Sequence, residues 1–91
     1  MKSLADTAVF TTKFVLEDNK EITYVTHELE DGAWLFFSDD KFEDFESVAK
    51  IVGLNEILDM DPTLKELENM EPGHIATRMY IGDKWKIKRA N

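Results

Sequence analysis

One string in this 91-residue chain has the form of a reactive motif: Asp59-Met60-Asp61-Pro62-Thr63. It matches the D-x-D-x-T pattern of aspartate-nucleophile phosphotransferases. In those enzymes the first carboxylate projects from the end of a strand in a large parallel α/β fold. Here the preceding residues, Leu54 to Leu58, read as helix, and the chain is too short for that architecture. Asp61 is better explained as a helix cap, with Pro62 at the first helical position. Ser38 has no histidine at an offset that would make it a nucleophile. His27 and His74 fall on separate segments, with no second histidine or cysteine at ligand spacing, whereas a zinc site needs three or four convergent ligands. Asp39, Asp40, Glu43 and Asp44 crowd four carboxylates together but lack the glycine and terminal glutamate of a calcium loop. There is no glycine-rich phosphate loop. The residue chemistry therefore predicts a protein that is not an enzyme, with no cofactor and no metal.

Charge says more than motif. The net charge is -8, and it is unevenly spread. Residues 1–27 carry -1, residues 28–71 carry three lysines against fourteen acids, and residues 72–91 carry +4. So acidic a body repels nucleic-acid phosphates and anionic lipid, which excludes both as expected partners, and it steers a basic protein towards itself. Cysteine is absent, so disulfides and thiolate sites are excluded, as suits a reducing compartment. Residues 1–6 lack the apolar run of a signal peptide, and nothing in the chain approaches the apolar length of a membrane span. The expected location is the cytoplasm. The length suits a single domain, residues 1–91 with a core over about 7–88, and the 43% hydrophobic content is enough to pack it.

The elements that would position these side chains follow from periodicity. Residues 7–17 alternate as a strand with Ala8, Phe10, Phe14 and Leu16 on one face. Asp18-Asn19-Lys20 is a polar turn, and Glu21 to Leu29 forms the second strand of a hairpin. Glu30-Asp31-Gly32 turns the chain again, Gly32 supplying a positive φ. Ala33 to Phe37 is apolar on both faces and reads as a central strand. Phe42, Phe45, Val48, Ala49 and Val52 then share one helical face, with Asp40 and Glu43 as a capping box and Gly53 as the stop. A short helix over Leu54 to Asp59 precedes one opened by Asp61-Pro62, with Leu64, Leu67 and Met70 buried. Ile75 to Ile81 alternates again, with Ile75, Met79 and Ile81 on one face. Gly82-Asp83 turns into a last strand, Lys84 to Lys88, whose lysines would protect a sheet edge. The expected fold is α+β: a small antiparallel sheet in the order β-β-β-α-α-β-β with short helices packed on one face.

Two blocks together resemble a known family. The first is Asp31-Gly32-Ala33-Trp34-Leu35-Phe36-Phe37-Ser38-Asp39-Asp40. The second is Gly53-Leu54-Asn55-Glu56-Ile57-Leu58-Asp59-Met60-Asp61-Pro62-Thr63-Leu64, followed by Glu71-Pro72-Gly73 and Arg78. They are similar to the thirty-third family of bacterial immunity proteins of polymorphic toxin systems, formerly a domain of unknown function. The likeness runs over roughly residues 8–88. The chain departs from the family pattern in the extra Ala33, in Asp39 where glycine is frequent, and after Asp40, where glutamate would follow. The resemblance implies a protein that neutralises a toxin by binding it, and implies no catalytic residues.

An acidic domain suits that role, since a toxin that cleaves nucleic acid presents a basic cleft that carboxylates and aromatic anchors can fill. Trp34, Phe36, Phe37, Phe42 and Phe45 read mostly as core. The surface expected to meet such a partner comprises Glu30, Asp31, Asp39, Asp40, Glu43 and Asp44, with Trp34 as an aromatic anchor if it stays exposed. Two other readings are an accessory or regulatory module acting on another protein, and a small-ligand or metal-binding domain. The expected state is a monomer or weak homodimer.

Overall fold

The computed structural model describes residues 7–90. Its elements are β1 (Ala8–Thr12), α1 (Lys13–Asp18), β2 (Tyr24–His27), β3 (Trp34–Phe37), α2 (Phe45–Val48), β4 (Ala49–Gly53), α3 (Leu54–Met60), a 3-10 helix (Pro62–Leu67), β5 (His74–Thr77) and β6 (Lys86–Arg89). The strands form one sheet in the order β4-β1-β3-β2-β5-β6. The α+β class read from the sequence is the architecture observed. The sheet is mixed and not wholly antiparallel as expected, because β1 and β3 run parallel while the other neighbours are antiparallel. Helices α1 and α2 interleave with the first four strands, and α3 follows β4.

Local chemistry explains most of the boundaries. The β2–β3 hairpin turns through Gly32 at φ 71, closed by Glu28 N–H to the Ala33 carbonyl at 2.8 Å. A Cβ at Gly32 would meet nothing within 4 Å, so Gly32→Ala should cost only the left-handed backbone penalty. That is about 1 kcal/mol, or a fall in Tm of roughly 4–8 °C, readable in a thermal melt. Asp61 caps the 3-10 helix by accepting from Thr63 N–H at 3.0 Å, with Pro62 at its start. Leu64, Leu67 and Met70 are buried as the spacing predicts.

Three expectations from periodicity are corrected. The first strand ends at Thr12, whose hydroxyl accepts from Val15 N–H and starts α1. That helix closes at Asn19, which takes φ 54. On β1 the buried residues are Val9 and Thr11, while Ala8 is exposed and Phe10 lies half-buried on the opposite face. Accordingly β1 makes no hairpin with β2; its neighbours are β3 and β4. The long helix expected from Phe42 to Val52 is one turn, α2, capped by Asp44 rather than Asp40. Ala49 to Gly53 instead pairs with Ala8 to Thr12 in five consecutive positions, where β-branched Ile51 and Val52 suit a strand. Gly53 therefore opens α3 and is not a helix stop. After β5 the chain leaves the sheet at Arg78, so Met79, Tyr80 and Ile81 are exposed in a turn rather than aligned on a strand.

The core lies on one side of the sheet. Val9, Val25, Trp34, Phe36 and Ala76 from the strands meet Val15, Leu54, Ile57, Leu64 and Leu67 from α1, α3 and the 3-10 helix. β3 sits between β1 and β2, which is why it is apolar on both faces. β4 and β6 are the two edges of the sheet, and every residue of β6 is exposed. Among the described residues, no helix is long and apolar enough to cross a membrane.

Candidate functional site

Asp61, the most suggestive carboxylate of the sequence, is buried and fully engaged. One oxygen accepts from Thr63, by its N–H and its hydroxyl, and the other accepts from Arg78 Nη2 at 2.6 Å. Arg78 also donates from Nε to the Ile22 carbonyl at 3.0 Å and from Nη1 to Thr63 Oγ1 at 2.8 Å. Its guanidinium lies 4.0 Å from the centre of the Trp85 ring. The arrangement ties the β2 approach, the 3-10 helix, the end of β5 and the segment before β6 into one buried unit. With both oxygens occupied, Asp61 is a structural group; Asp59, the first carboxylate of the string, stands on a helix and not at the end of a strand. Asp59 is exposed at the end of α3.

The other polar candidates are also accounted for by local bonding. Ser38 is buried and donates to Asp40 Oδ1 at 2.9 Å. His27 Nδ1 lies 2.8 Å from the Met70 carbonyl, and its ring stacks on Trp34 at 3.9 Å. His74 sits opposite His27 on β5, with Nδ1 3.2 Å from the carbonyls of Glu71 and Pro72. Among the described residues, no three of His, Cys, Asp or Glu converge as a metal-holding group.

The acidic surface expected from the sequence divides in two. Glu30 and Asp31 lie in the turn before β3, and Asp39, Asp40, Glu43 and Asp44 lie in the loop beyond its other end. Glu30 borders a hollow of about 820 Å³ shared with His27, Glu71, His74 and Arg89. Asp39 borders a separate groove of about 400 Å³. Trp34 drops out of the surface altogether: it is 5% exposed, on the core side of the sheet between His27 and Phe36. Strand alternation decides this, since residue 34 must share its face with Phe36.

The aromatic component of the surface comes from the opposite face. Cross-strand register aligns Ile51, Phe10, Leu35, Thr26, Ile75 and Lys88 in one row, and Phe37, Tyr24, Thr77 and Lys86 in the next. The core helices leave this face open. It is covered only at one corner, where Phe45 packs on Phe10 at 6.3 Å and on Phe37 at 5.6 Å, and Phe42 stacks on Phe37 at 6.1 Å. Ile51 is 67% exposed, and Tyr24 and Phe42 are each 38% exposed. The acidic loop runs along that corner. Its four carboxylates differ in freedom. Asp40 is held by Ser38 and by Lys20 at 3.5 Å, and Asp44 caps α2. Among the described residues, Asp39 and Glu43 make no ion pair, and both are exposed.

The signal that would have found this face is the alternate set of strand positions, Phe10, Leu35, Phe37 and Tyr24. Phe10 reads as the inner face of its strand, and Leu35 and Phe37 as the second apolar face of a central one. No protein-family model, curated protein or solved structure matches the chain. The functional reading therefore stands on its residues and its fold.

Proposed function

We propose that this chain is a non-enzymatic protein-binding domain: an immunity protein that acts in the cytoplasm and neutralises a bacterial toxin by occupying a basic surface on it. The observation that carries the reading is the open sheet face, an apolar and aromatic strip bordered by Asp39, Asp40, Glu43 and Asp44. Exposed apolar strips with a polar rim are the usual form of protein interfaces. The rim is acidic at this corner, while Lys86 and Lys88 stand at the β6 end of the same face. The acidic corner favours a basic group on the partner and speeds its approach. The family resemblance of the two sequence blocks supports the same class of function. So does the setting of Asp59, which lies on a helix and not at the strand end that the D-x-D-x-T motif requires.

The binding surface on this reading comprises Tyr24, Phe37, Asp39, Phe42 and Glu43, with Asp40 and Asp44 shaping the loop. Glu30, Asp31 and Trp34 are outside it. Binding to purified toxin domains encoded beside the gene tests the proposal by calorimetry. The expected result is a tight one-to-one complex that weakens as salt is raised. Absence of binding to every such domain would reject the immunity role.

A further inference from the structure

The groove at the covered corner has a composition that an apolar strip alone does not explain. Three aromatic residues and one acidic residue line it: Tyr24 from β2, Phe37 from β3, Phe42 from the following loop, and Asp39, which also borders a neighbouring hollow shared with Lys20. Tyr24 meets Phe37 edge to face, with centroids 5.9 Å apart and planes at 71°. Phe42 stacks on the same ring at 6.1 Å and 22°. Phe37 thus forms the floor, and the two half-exposed rings stand beside it. Arg78 borders the groove too, but its guanidinium is turned beneath the sheet onto Asp61, and its side chain is 0% exposed.

We infer that this groove is a receptor for a single arginine side chain presented by the partner protein. The inference rests on the protein-binding reading and names the group that the partner contributes. Ring faces attract a cation, and their carbon surface accepts the apolar stem that carries it. A carboxylate at the rim supplies the counter-charge and hydrogen-bond acceptors. A guanidinium suits the site better than an ammonium. It is planar, weakly hydrated, and able to stack on one ring while forking towards a carboxylate. The surrounding loop adds Asp40, Glu43 and Asp44 against Lys41 and stays net acidic, which attracts cations to this side of the groove. Lys20 pairs with Asp40, and Lys86 stands across from Thr77 at the other side. The volume of about 400 Å³ is ample for one such side chain and far too small for a folded element.

The test uses acetyl-Gly-Arg-Gly-amide against its citrulline counterpart, which keeps the shape and removes the charge, in an NMR titration of the intact chain. The arginine peptide should shift resonances of Tyr24, Phe37, Asp39 and Phe42 with millimolar affinity, and the citrulline peptide should leave them in place. Asp39→Asn and Phe42→Leu should each weaken arginine-peptide binding by roughly 3–30-fold. Both side chains are partly or fully exposed, so the unaltered remainder of the spectrum will confirm the fold. Equal shifts with both peptides, or arginine binding indifferent to both substitutions, would overturn the inference. The outcome is separable from the toxin experiment. A toxin that binds with full affinity to both variants rejects the arginine receptor and leaves the immunity role standing. A receptor that binds the arginine peptide while every toxin fails does the reverse.

Discussion

Replacing Arg78 by alanine should destabilise the fold by about 3–5 kcal/mol, because it strands the Asp61 carboxylate in the core without its partner. The two side chains are 0% and 5% exposed, so water cannot take over the lost bonds. The same change also removes donors from the Ile22 carbonyl and from Thr63, and the cation that lies over Trp85. Small domains are stable by only about 5–15 kcal/mol in total, so the variant should be partly unfolded near physiological temperature. Urea denaturation of wild type and variant measures the difference. A loss below about 1 kcal/mol would show that the buried pair does not organise the fold. Replacing Asp61 and Arg78 together by leucine and methionine should cost less than the sum of the single changes, since no charge is left unpaired. Some loss should persist, because Asp61 also caps the 3-10 helix.

The second large effect concerns binding. Reversing the charge of Asp39 and Glu43 together, each to lysine, should weaken the complex with a cognate toxin by at least about 100-fold, equivalent to about 2.7 kcal/mol. These two positions are the right choice because neither holds the loop together; Asp40 and Asp44 do, through Ser38, Lys20 and the cap of α2. The unfolding midpoint of the reversed variant should therefore stay within about 2 °C of wild type. Much of the binding loss should appear in the association rate, and it should shrink as salt screens the rim. Glu30→Lys, at the far end of β3, should change affinity by no more than about threefold. Surface plasmon resonance at two ionic strengths separates these terms. Equal losses for Glu30→Lys and for the pair would mean that overall charge, rather than this face, governs binding.

Features set by short-range chemistry were legible in the sequence. Gly32 at the hairpin turn, Asp61-Pro62 at the 3-10 helix, and the double-sided apolarity of Trp34 to Phe37 all point to what the structure contains. Elements set by distant pairing were not. Phe42, Phe45, Val48, Ala49 and Val52 satisfy a helical period, yet β1 needs a second neighbour and Ala49 to Gly53 supplies it. α1 is only six residues long, too short for a period of 3.6 to override the alternation of Phe14 and Leu16. Thr12 followed by Val15 was its only local mark, a cap bond that many threonines fail to make. The candidate site was half legible for the same reason. The carboxylates of the loop are contiguous in sequence, whereas Tyr24 and Phe42 reach Phe37 only once the sheet is assembled. The choice for Trp34 between core and anchor stayed open, because an aromatic-rich strand does not declare which of its faces is inward until its neighbours do; the structure puts it in the core.

Growth of cells producing a toxin domain encoded beside the gene tests the central claim most directly. Co-expression of this chain should restore growth, Glu30→Lys should restore it equally, and the Asp39→Lys, Glu43→Lys pair should fail despite normal folding. Growth that stays arrested with the wild-type chain, or is rescued as well by the reversed pair as by wild type, would contradict the account.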